Sequence, residues 1–433
     1  MSGTPGASGA SGASVDSSWR GDNSDNGSVG KTQQLPPLLS MVVPPPTFSP
    51  SHLGVADECL LRAVLGSARV VASLPAHPAA DVGTAFHLLL ERSIRGEITR
   101  MGTAEEDAER TLDEILIEAN RRFAARLPEA SSVVLKDVWS PLLWRRKVRR
   151  VIDLAVRQME GGGSAAPAYS GVLAHGGVGL ALSDLGSVRT FAEVRMRASD
   201  LRLAGRADVV ERSAGHITIR DLKTGRVTDP DGSVSPHVAR QLRVYGLMAR
   251  RQEPAAAVRL VVDDGTEREV PFGPKEEAET EEWVRATMAR VPSGVPVDAD
   301  QLARFGPACD GCGFRHVCPE YRQRAPEAWS SGAKHRIPLD TWGRLTDVQG
   351  AEDRHRVRLV DAAGRSVSIT GLLPARTRGW YPGDLVSLFG LRTRDRHVGQ
   401  DAVRQPLNFH ETTVDDRRDR AWALAVFRDE SQS

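Results

Sequence analysis

The spacing of hydrophobic residues predicts helices from about residue 55 to residue 160. In this region apolar residues recur every three or four positions, the period that gives a helix one apolar face. Four segments have this pattern: VADECLLRAVLG, GTAFHLLLERSIRG, TAEEDAERTLDEILIEANRRFAARL and SPLLWRRKVRRVIDLAVRQME. The first part of the chain is therefore predicted to be helical.

Beyond the segment GGGSAAPAYSG the apolar period changes to two. The segments VRTFAEVRMR, LRLAGRADVVER and HITIRDLK alternate apolar and polar residues, as successive strands of an antiparallel sheet do. A helical segment, SPHVARQLRVYGLMARR, comes next, followed by the strands AAVRLVVDD and REVPFG and a helix from Pro274 to about Arg290. The middle of the chain is predicted to be α/β, with a helix that packs back onto a sheet.

Residues 335–433 have a different pattern of short β-rich segments. TWGRLTDV, HRVRLVDAAGRSVSITGL and GDLVSLFGLRTR are separated by turns that contain Gly and Asp. Several short strands with such turns favour a small barrel, and an OB-like topology is our prediction. We expect these residues to form a separable accessory domain.

Composition limits the possible classes of protein. Residues 1–45 are rich in Gly, Ser and Pro and are predicted to be a disordered tail. A net charge of +1 gives no global signature of a polyanion-binding protein, so contacts to nucleic acid would require local basic patches. The sequence has no run of 18 apolar residues and no signal-like N-terminus, which predicts a cytoplasmic protein without membrane contact.

Two aspartates and a lysine stand out in the segment GRADVVERSAGHITIRDLKTG. If residues 213–216 form the turn, the numbers of facing residues sum to 429, and Asp208 faces Asp221 with Cβ atoms about 4.5–5.5 Å apart. Strand alternation puts Lys223 on the same side as Asp221. Two carboxylates at that distance repel each other unless they share a proton or a bound cation.

A divalent metal ion would satisfy this pair of carboxylates. A few hard oxygen ligands suit Mg²⁺ or Mn²⁺ and leave positions for water and a phosphate oxygen. Lys223, one of six lysines in the chain, would orient or help deprotonate the attacking water and offset charge on the phosphate. The alternative interpretation is a solvated hairpin whose charged residues only keep a surface wet.

An ordered set of motifs resembles the PD-(D/E)XK nuclease superfamily. GTAFHLLLE, GRADVV, DLKTG and QLRVY are most similar to the RecB-like branch, which includes the Cas4 and AddB-type nucleases. The resemblance covers about residues 50–320. It implies a nuclease domain over residues 46–330, with a mixed central sheet flanked by helices, and it assigns metal ligands and a catalytic lysine. The implied ligands are His87, Asp208 and Asp221, and the implied catalytic lysine is Lys223.

Gln241 and Tyr245 match the Q-x-x-x-Y motif of the same branch, which implies contacts to DNA or to the active site. Their i, i+4 spacing places them on one helix face, and we count both among the catalytic residues. Glu193 is either an additional ligand or only an acidic residue on a strand face. Taken singly, His87 also fits a core histidine, and the Gln–Tyr pair also fits a polar helix edge. The ordered set, rather than any one residue, carries the resemblance.

The cysteines favour a metal centre over disulfides, because four are too few for a disulfide scaffold in 433 residues. CDGCGFRHVC places Cys309, Cys312 and Cys318 together, and Cys59 is the one cysteine left to complete a tetrahedral zinc or a cubane iron–sulfur site. This split set resembles that of the iron–sulfur members of the branch, which implies a [4Fe–4S] cluster. Zn²⁺ is the alternative, because His316 lies inside the loop, and free thiols are a third interpretation.

Two basic segments could contact nucleic acid. WRRKVRRVIDLAVRQ is either a solvated helix face or a track for DNA phosphates. Near the C-terminus, arginines lie close to Trp380, Tyr381 and Phe389, a pattern that suits stacking on single-stranded DNA and equally suits a β core. These arginines are Arg376, Arg378, Arg392, Arg394 and Arg396.

Taken together, these features predict a Mg²⁺- or Mn²⁺-dependent deoxyribonuclease, either an exonuclease or an endonuclease. DNA repair or recombination, CRISPR-type processing and anti-phage defence are all suitable settings. The expected partner is DNA that is single-stranded or has single-stranded ends. A helicase or another subunit of a nuclease complex is a further expected partner, because no helicase motif is visible. The competing interpretation is a degenerate nuclease fold that binds nucleic acid or acts as a scaffold.

Overall fold

The computed structural model describes residues 37–71, 73–74, 78–126, 134–138, 140–160, 188–223, 225, 227–264, 266–330, 339–350, 354–361, 364, 366–372, 374–391, 412–413 and 425–429. The helices are α1 (Pro50–Leu53), α2 (Leu60–Ala68), α3 (Pro78–Ile94), α4 (Ala104–Arg126), α5 (Pro141–Glu160), α6 (Pro236–Gln252), α7 (Pro274–Ala289), α8 (Ala299–Leu302), α9 (Pro319–Ser330) and α10 (Pro374–Thr377). The strands are β1 (Met41–Val42), β2 (Arg189–Ala198), β3 (Leu203–Ser213), β4 (His216–Leu222), β5 (Ala257–Asp263), β6 (Glu267–Val270), β7 (Val297–Asp298), β8 (Leu339–Gly350), β9 (His355–Val360), β10 (Ser366–Leu372), β11 (Leu385–Leu391), β12 (Thr412–Thr413) and β13 (Ala425–Asp429).

The centre of the fold is a mixed five-stranded sheet with the strand order β2-β3-β4-β5-β6. Neighbouring strands are antiparallel except β4 and β5, which are parallel and are connected through α6. A parallel pair requires such a crossover, because the chain must return to the same end of the sheet before the next strand begins. The prediction of an α/β middle region with a returning helix is confirmed.

The β3–β4 hairpin has the predicted register. Its ladder runs from Val209 opposite Arg220 to Ser213 opposite His216, and each pair of residue numbers sums to 429. Gly215 in the turn has a left-handed φ of 72°, which glycine adopts more easily than other residues. The tight connection fixes which side chains share each face of the hairpin.

Helices cover both faces of the central sheet. Ile217 and Ile219 of β4 face a core that they share with α6 and α7. On the opposite face, Val209 of β3 packs with Leu90 of α3 and Leu154 of α5. In the part of the chain that the structure describes, each helix is too short or too polar to cross a membrane.

The segment just before α1 belongs to the folded domain, which corrects the prediction of a disordered tail up to residue 45. β1 pairs with β7, which lies more than 250 residues later in the sequence. Shortly after β1, Phe48 is fully buried and bridges Leu203 on β3. Local composition could not reveal these partners, because they are distant in the sequence. The rest of the predicted tail, residues 1–36, lies outside the described residues.

The C-terminal residues form a six-stranded sheet with the order β12-β10-β9-β8-β11-β13. β8, β9 and β10 make an antiparallel meander, and β11 pairs with the other edge of β8. Irregularities in both ladders of β8 are of the kind that bend a strand. The β-rich character is confirmed. Among the described residues the outer strands β12 and β13 do not pair with each other, so an OB-like barrel stays a prediction.

This C-terminal sheet packs against the rest of the protein. One hydrophobic cluster includes Ile152 of α5 together with Val357 of β9. On α9, the guanidinium of Arg322 lies 4.0 Å from the ring centroid of Trp342 on β8 and 5.9 Å from that of Phe389 on β11. A shared core of this kind argues against the expectation that residues 335–433 are separable.

Deleting residues 335–433 is expected to destabilise the remaining chain. The deletion would expose apolar residues of the shared cluster and would remove both aromatic rings from the largely buried Arg322. Thermal denaturation of the truncated and full-length proteins, with solubility measured alongside, tests this. A soluble truncated protein with the melting temperature of the full chain would contradict the shared core.

Candidate active site

Three carboxylates occupy adjacent positions on three neighbouring strands. In the β2–β3 ladder the paired residue numbers sum to 401, which places Glu193 opposite Asp208. The β3–β4 register places Asp208 opposite Asp221. Because neighbouring strands lie about 4.8 Å apart, the three positions form one acidic row across the sheet. The hairpin predicted the second pair, and the structure adds Glu193.

The β3–β4 ladder opens at the two aspartates. Beyond its last pair, the Oδ2 atom of Asp208 accepts a hydrogen bond from the backbone N–H of Leu222 at 2.7 Å. Burial, reinforced by the charge of Asp221, raises the pKa of Asp208 to about 7. The second of these causes, the charge of Asp221, is the repulsion that the sequence predicted for two carboxylates on facing strands.

The two oxygens of the buried Asp221 side chain have different surroundings. Its Oδ1 atom accepts hydrogen bonds from Lys223 Nζ at 3.2 Å and from Gln241 Nε2 at 3.1 Å. Its Oδ2 atom accepts no hydrogen bond of good geometry, although Lys223 Nζ lies 3.0 Å away. A buried carboxylate oxygen without a hydrogen bond is costly, and a bound cation would remove that cost.

Helix α6 contributes Gln241 and Tyr245, which have different contacts. The Oε1 atom of Gln241 accepts a hydrogen bond from Lys223 Nζ at 3.1 Å, so one side-chain amide contacts both Asp221 and Lys223. The hydroxyl of Tyr245 donates to the carbonyl oxygen of Arg206 at 2.7 Å. Gln241 therefore holds Asp221 and Lys223 together, whereas Tyr245 fixes α6 against β3.

Helix α3 brings His87 to the other end of the acidic row. Its Nδ1 atom lies 3.5 Å from Asp208 Oδ1 and 3.9 Å from Glu193 Oε1. One ligand atom from each of these three residues lies within 4.8 Å of the other two. Burial lowers the pKa of His87, which favours the neutral imidazole that binds metals. His87, Glu193 and Asp208 could therefore hold one metal ion, and Asp221 is the next carboxylate of the acidic row.

Glu193 has an uncommon backbone conformation for a strand residue. Its φ of 55° lies in the left-handed region, which residues other than glycine seldom adopt. Its carboxylate pairs with Arg206, and burial raises its pKa. Strain of this kind concentrates at functional sites. The strained backbone of Glu193 could not be predicted from the sequence, because the register of β2 against β3 can be read only once the connection between them is known.

Two arginines of α5 are engaged with acidic neighbours. Arg149 pairs with Glu105 of α4 at 2.5 Å. Arg150 pairs with Asp263 and Glu267 of the β5–β6 hairpin, each at 2.8 Å. Part of the positive charge that the sequence offered as a phosphate track is therefore neutralised by these contacts, which hold α5 in place.

A cavity that is open to solvent lies between α3, α5 and the carboxyl ends of β4 and β5, with about 380 Å³ of empty space when the solvent-filled mouth is included. Ligands commonly bind at the carboxyl ends of parallel strands, and here that edge carries the reactive groups. His87 and Lys223 line the cavity together with Lys147 of α5, and Phe86 and Leu222 contribute apolar walls. The cavity therefore extends from His87 and Lys223, which contact the acidic row, to the basic helix.

Of the three aromatic residues that lie near the C-terminal arginines in the sequence, two are part of a core. Trp380 and Phe389 are buried, whereas Tyr381 is 66 % exposed. Of the two alternatives that the sequence left open, burial in a β core therefore holds for Trp380 and Phe389. Arg392, Arg394, Arg396 and the side chain of Arg376 lie outside the described residues.

The four cysteines share one environment, although Cys59 precedes α2 and the other three precede α9. All four thiols are free. Burial and the neighbouring thiols raise the pKa of Cys309 to about 11 and that of Cys318 to about 12. Burial followed by the charge of Cys59 raises the pKa of Cys312 as well. Thiols in such a group lose their protons when a metal centre binds.

A mixed sheet that carries clustered acids, with a lysine two residues after one of them, defines a hydrolase site of the nuclease class. A family model of the PD-(D/E)XK nuclease superfamily matches residues 47–319, well over half of the chain. The protein belongs to this superfamily.

No curated protein sequence matches the chain. A solved structure titled "Crystal structure of SSO0001" aligns at 16 % identity with a TM-score of 0.22, over 54 % of this chain and 95 % of that chain. A TM-score this low supports no further conclusion.

Asp208→Asn is expected to stabilise the metal-free protein more at pH 8 than at pH 5. The folded protein raises the pKa of this carboxyl from 3.8 to about 7. The folded state therefore binds the proton more tightly, and stability falls as the pH rises through that interval. A neutral amide removes this loss, so the gain in unfolding free energy should be about 2–3 kcal/mol larger at pH 8.

Urea denaturation in EDTA at both pH values measures this difference. Asp113→Asn, at an exposed position of α4, is the control and should have equal stability effects at the two pH values. An equal gain at both pH values for Asp208→Asn would contradict the raised pKa.

Proposed function

We propose that this protein is a divalent-metal-dependent deoxyribonuclease of the RecB-like type. Membership of the superfamily gives a nuclease-type hydrolase, and the metal, the DNA substrate and the branch are our proposal. One observation carries it: the acidic row of Glu193, Asp208 and Asp221 ends beside Lys223, whose ammonium is held by Gln241. Because all of these groups meet at one site, an active enzyme is favoured over a degenerate scaffold.

The donor set fits a hard divalent cation. His87, Glu193, Asp208 and Asp221 would hold it through oxygen atoms and one imidazole nitrogen, which suits Mg²⁺ or Mn²⁺. The Oδ2 atom of Asp221, which accepts no hydrogen bond, and the raised pKa of Asp208 both indicate negative charge that the protein alone does not fully balance. When bound, such an ion supplies Lewis-acid activation of the phosphodiester and of water.

Lys223 and Gln241 act on the reacting groups in different ways. The ammonium of Lys223 can donate a hydrogen bond that orients the attacking water, and it can offset charge on the phosphate oxygens. A compact ammonium fits this task better than a planar guanidinium, which would spread its charge over several donors. Gln241 is a positioning residue, because its amide fixes Lys223 relative to Asp221.

The cavity beside Lys223 supports a nucleotide substrate. Phe86 and Leu222 give it apolar walls, Lys147 gives it a second ammonium, and Asp263 and Asp264 also line it. The apolar walls and the two ammonium groups complement a base or sugar and its phosphate. A strand with a single-stranded end can place a nucleotide there, whereas a fully stacked duplex cannot. We therefore propose DNA with single-stranded ends as the substrate, with a helicase or another nuclease subunit as the partner that exposes them. Repair or recombination, CRISPR-type processing and anti-phage defence all provide such ends.

For the four cysteines we propose a [4Fe–4S] cluster, with Zn²⁺ as the alternative. All four thiols are free, and after burial the neighbouring Cys59 helps to raise the pKa of each of the other three, as expected for ligands of one centre. A shared centre would connect the segment before α2 to the segment before α9. Closing so long a loop stabilises a fold by about 5–6 kcal/mol in the chain-entropy description of cross-links.

Lys223→Met is expected to reduce cleavage at least about 100-fold, because it removes the charge that stabilises the transition state, while the fold and DNA binding persist. The assay uses end-labelled single- and double-stranded DNA with Mg²⁺, Mn²⁺ or EDTA. Lys275→Met, on the exposed side of α7, is the matched control and should cleave like the wild type. Wild-type cleavage by Lys223→Met, or cleavage in EDTA, would contradict the proposed centre.

Cys59→Ser is expected to lose the cysteine-bound metal and much of the protein's stability, because it removes the ligand that closes the long loop. Iron and sulfide analysis with the visible spectrum of the anaerobic protein measures the loss. Stoichiometric zinc without iron in the wild type would replace the cluster by the zinc alternative. Unchanged metal content in Cys59→Ser would show that this cysteine is not a ligand.

A further inference from the structure

The segment that carries Cys309, Cys312 and Cys318 is called the cysteine loop here. This loop and the C-terminal sheet meet at one buried carboxylate, Asp340 of β8. Its side chain has no exposed surface. The Oδ2 atom accepts hydrogen bonds from Arg315 Nε at 2.8 Å and from the hydroxyl of Tyr321 at 2.7 Å. The Oδ1 atom accepts a hydrogen bond from the backbone N–H of Gly390 at 2.6 Å. One side chain therefore connects the cysteine loop, α9 and two strands of the sheet.

Arg315 in turn fixes the backbone of the cysteine loop. It lies between Cys312 and Cys318 in the sequence, and its Nη1 atom donates to the carbonyl oxygen of Cys312 at 2.6 Å. The backbone N–H of Cys318 donates to the carbonyl oxygen of Arg315 at 3.4 Å. The guanidinium is buried, and its desolvation must be offset by a partner of opposite charge. Among the described residues, the ion pair with Asp340 provides that partner.

The position of Arg315 matters for any metal centre that the thiols bind. Four thiolates give such a centre net negative charge, and nearby cations favour the thiolate form and the reduced state of a cluster. Arg315 supplies one cation from the loop, and Arg62 of α2 supplies another, with its Nη1 atom donating to the carbonyl oxygen of Ala308 at 3.1 Å. The hydrogen bond of Arg62 involves no residue of the C-terminal sheet, whereas the charge of Arg315 is paired with Asp340 of that sheet.

We propose that Asp340 is a positioning residue for the cysteine-bound metal centre. It holds Arg315 in the loop, so the C-terminal sheet completes the outer surroundings of a centre whose thiols all belong to the nuclease domain. This inference rests on the metal centre proposed above. It gives the C-terminal sheet a role in metal retention, which differs from the DNA tethering that its arginines and aromatic residues suggested.

The test compares Asp340→Asn with Asp347→Asn in the full-length protein. Asparagine keeps the size of Asp340 and an acceptor for Gly390 but removes the charge that holds Arg315. Asp347 lies on the same strand, and its side chain contacts Gln349, away from the cysteine loop. Iron and zinc content, the rate of metal loss to EDTA and the midpoint potential of the anaerobic protein are measured for each variant.

Asp340→Asn is expected to lose metal about tenfold faster than the wild type, in the range typical for loss of an outer partner of a metal ligand. For an iron–sulfur cluster its midpoint potential should fall, because the guanidinium moves away from the thiolates. Arg315→Gln removes that cation directly and should shift the potential in the same direction. Asp347→Asn should match the wild type in both measurements.

Wild-type retention and potential in Asp340→Asn would overturn the proposal, and so would equal losses in both aspartate variants. If Asp340→Asn does not fold, the double variant Arg315→Met, Asp340→Leu removes both buried charges and must show the same loss of metal. Wild-type protein without iron or zinc would overturn the metal centre itself. Cleavage of labelled DNA by the same preparations reports separately on the nuclease proposal.

Discussion

Repulsion between carboxylates on adjacent strands is the constraint on which the rest of this domain depends. Glu193, Asp208 and Asp221 lie side by side where strands β2, β3 and β4 meet the covering helices. Each is countered by a different neighbour: Glu193 by Arg206, Asp208 by the backbone N–H of Leu222, and Asp221 by Lys223 and Gln241. Of these neighbours, Gln241 lies on a helix, so α6 is positioned by its hydrogen bond to Asp221 as well as by burial of apolar surface.

The part of the site that could be predicted is the part that depends on local structure. A two-residue turn fixes the register of β3 against β4, so the pairing of Asp208 with Asp221 follows from counting residues. Glu193 could not be placed in the same way, because the connection between β2 and β3 contains a short irregular turn that ends in the left-handed Arg202. The β1–β7 pair and the Asp340–Arg315 contact join distant segments, and no local pattern signals them.

The basic segment of α5 shows why clustered arginines do not define a basic surface. Arg150 from α5 and Arg220 from β4 converge on the same two acids, Asp263 and Glu267. Asp263 is buried, so two guanidinium groups together offset the desolvation of one carboxylate. Charge that looks available in the sequence is used to fix α5 over the sheet, and the electrostatic field at the cavity is weaker than the number of arginines suggests.

The contact of Asp340 with the cysteine loop also sets an order of events during synthesis. Cys59 leaves the ribosome about 250 residues before Cys309, and Asp340 follows Cys318 by only 22 residues. The loop can be assembled only when nearly the whole nuclease domain has been made, and it is held in place only when the next strand has emerged. A chain released early would have the acidic row but not its completed cysteine site. Completion of the cysteine site is thus a late step that separates finished molecules from prematurely terminated ones.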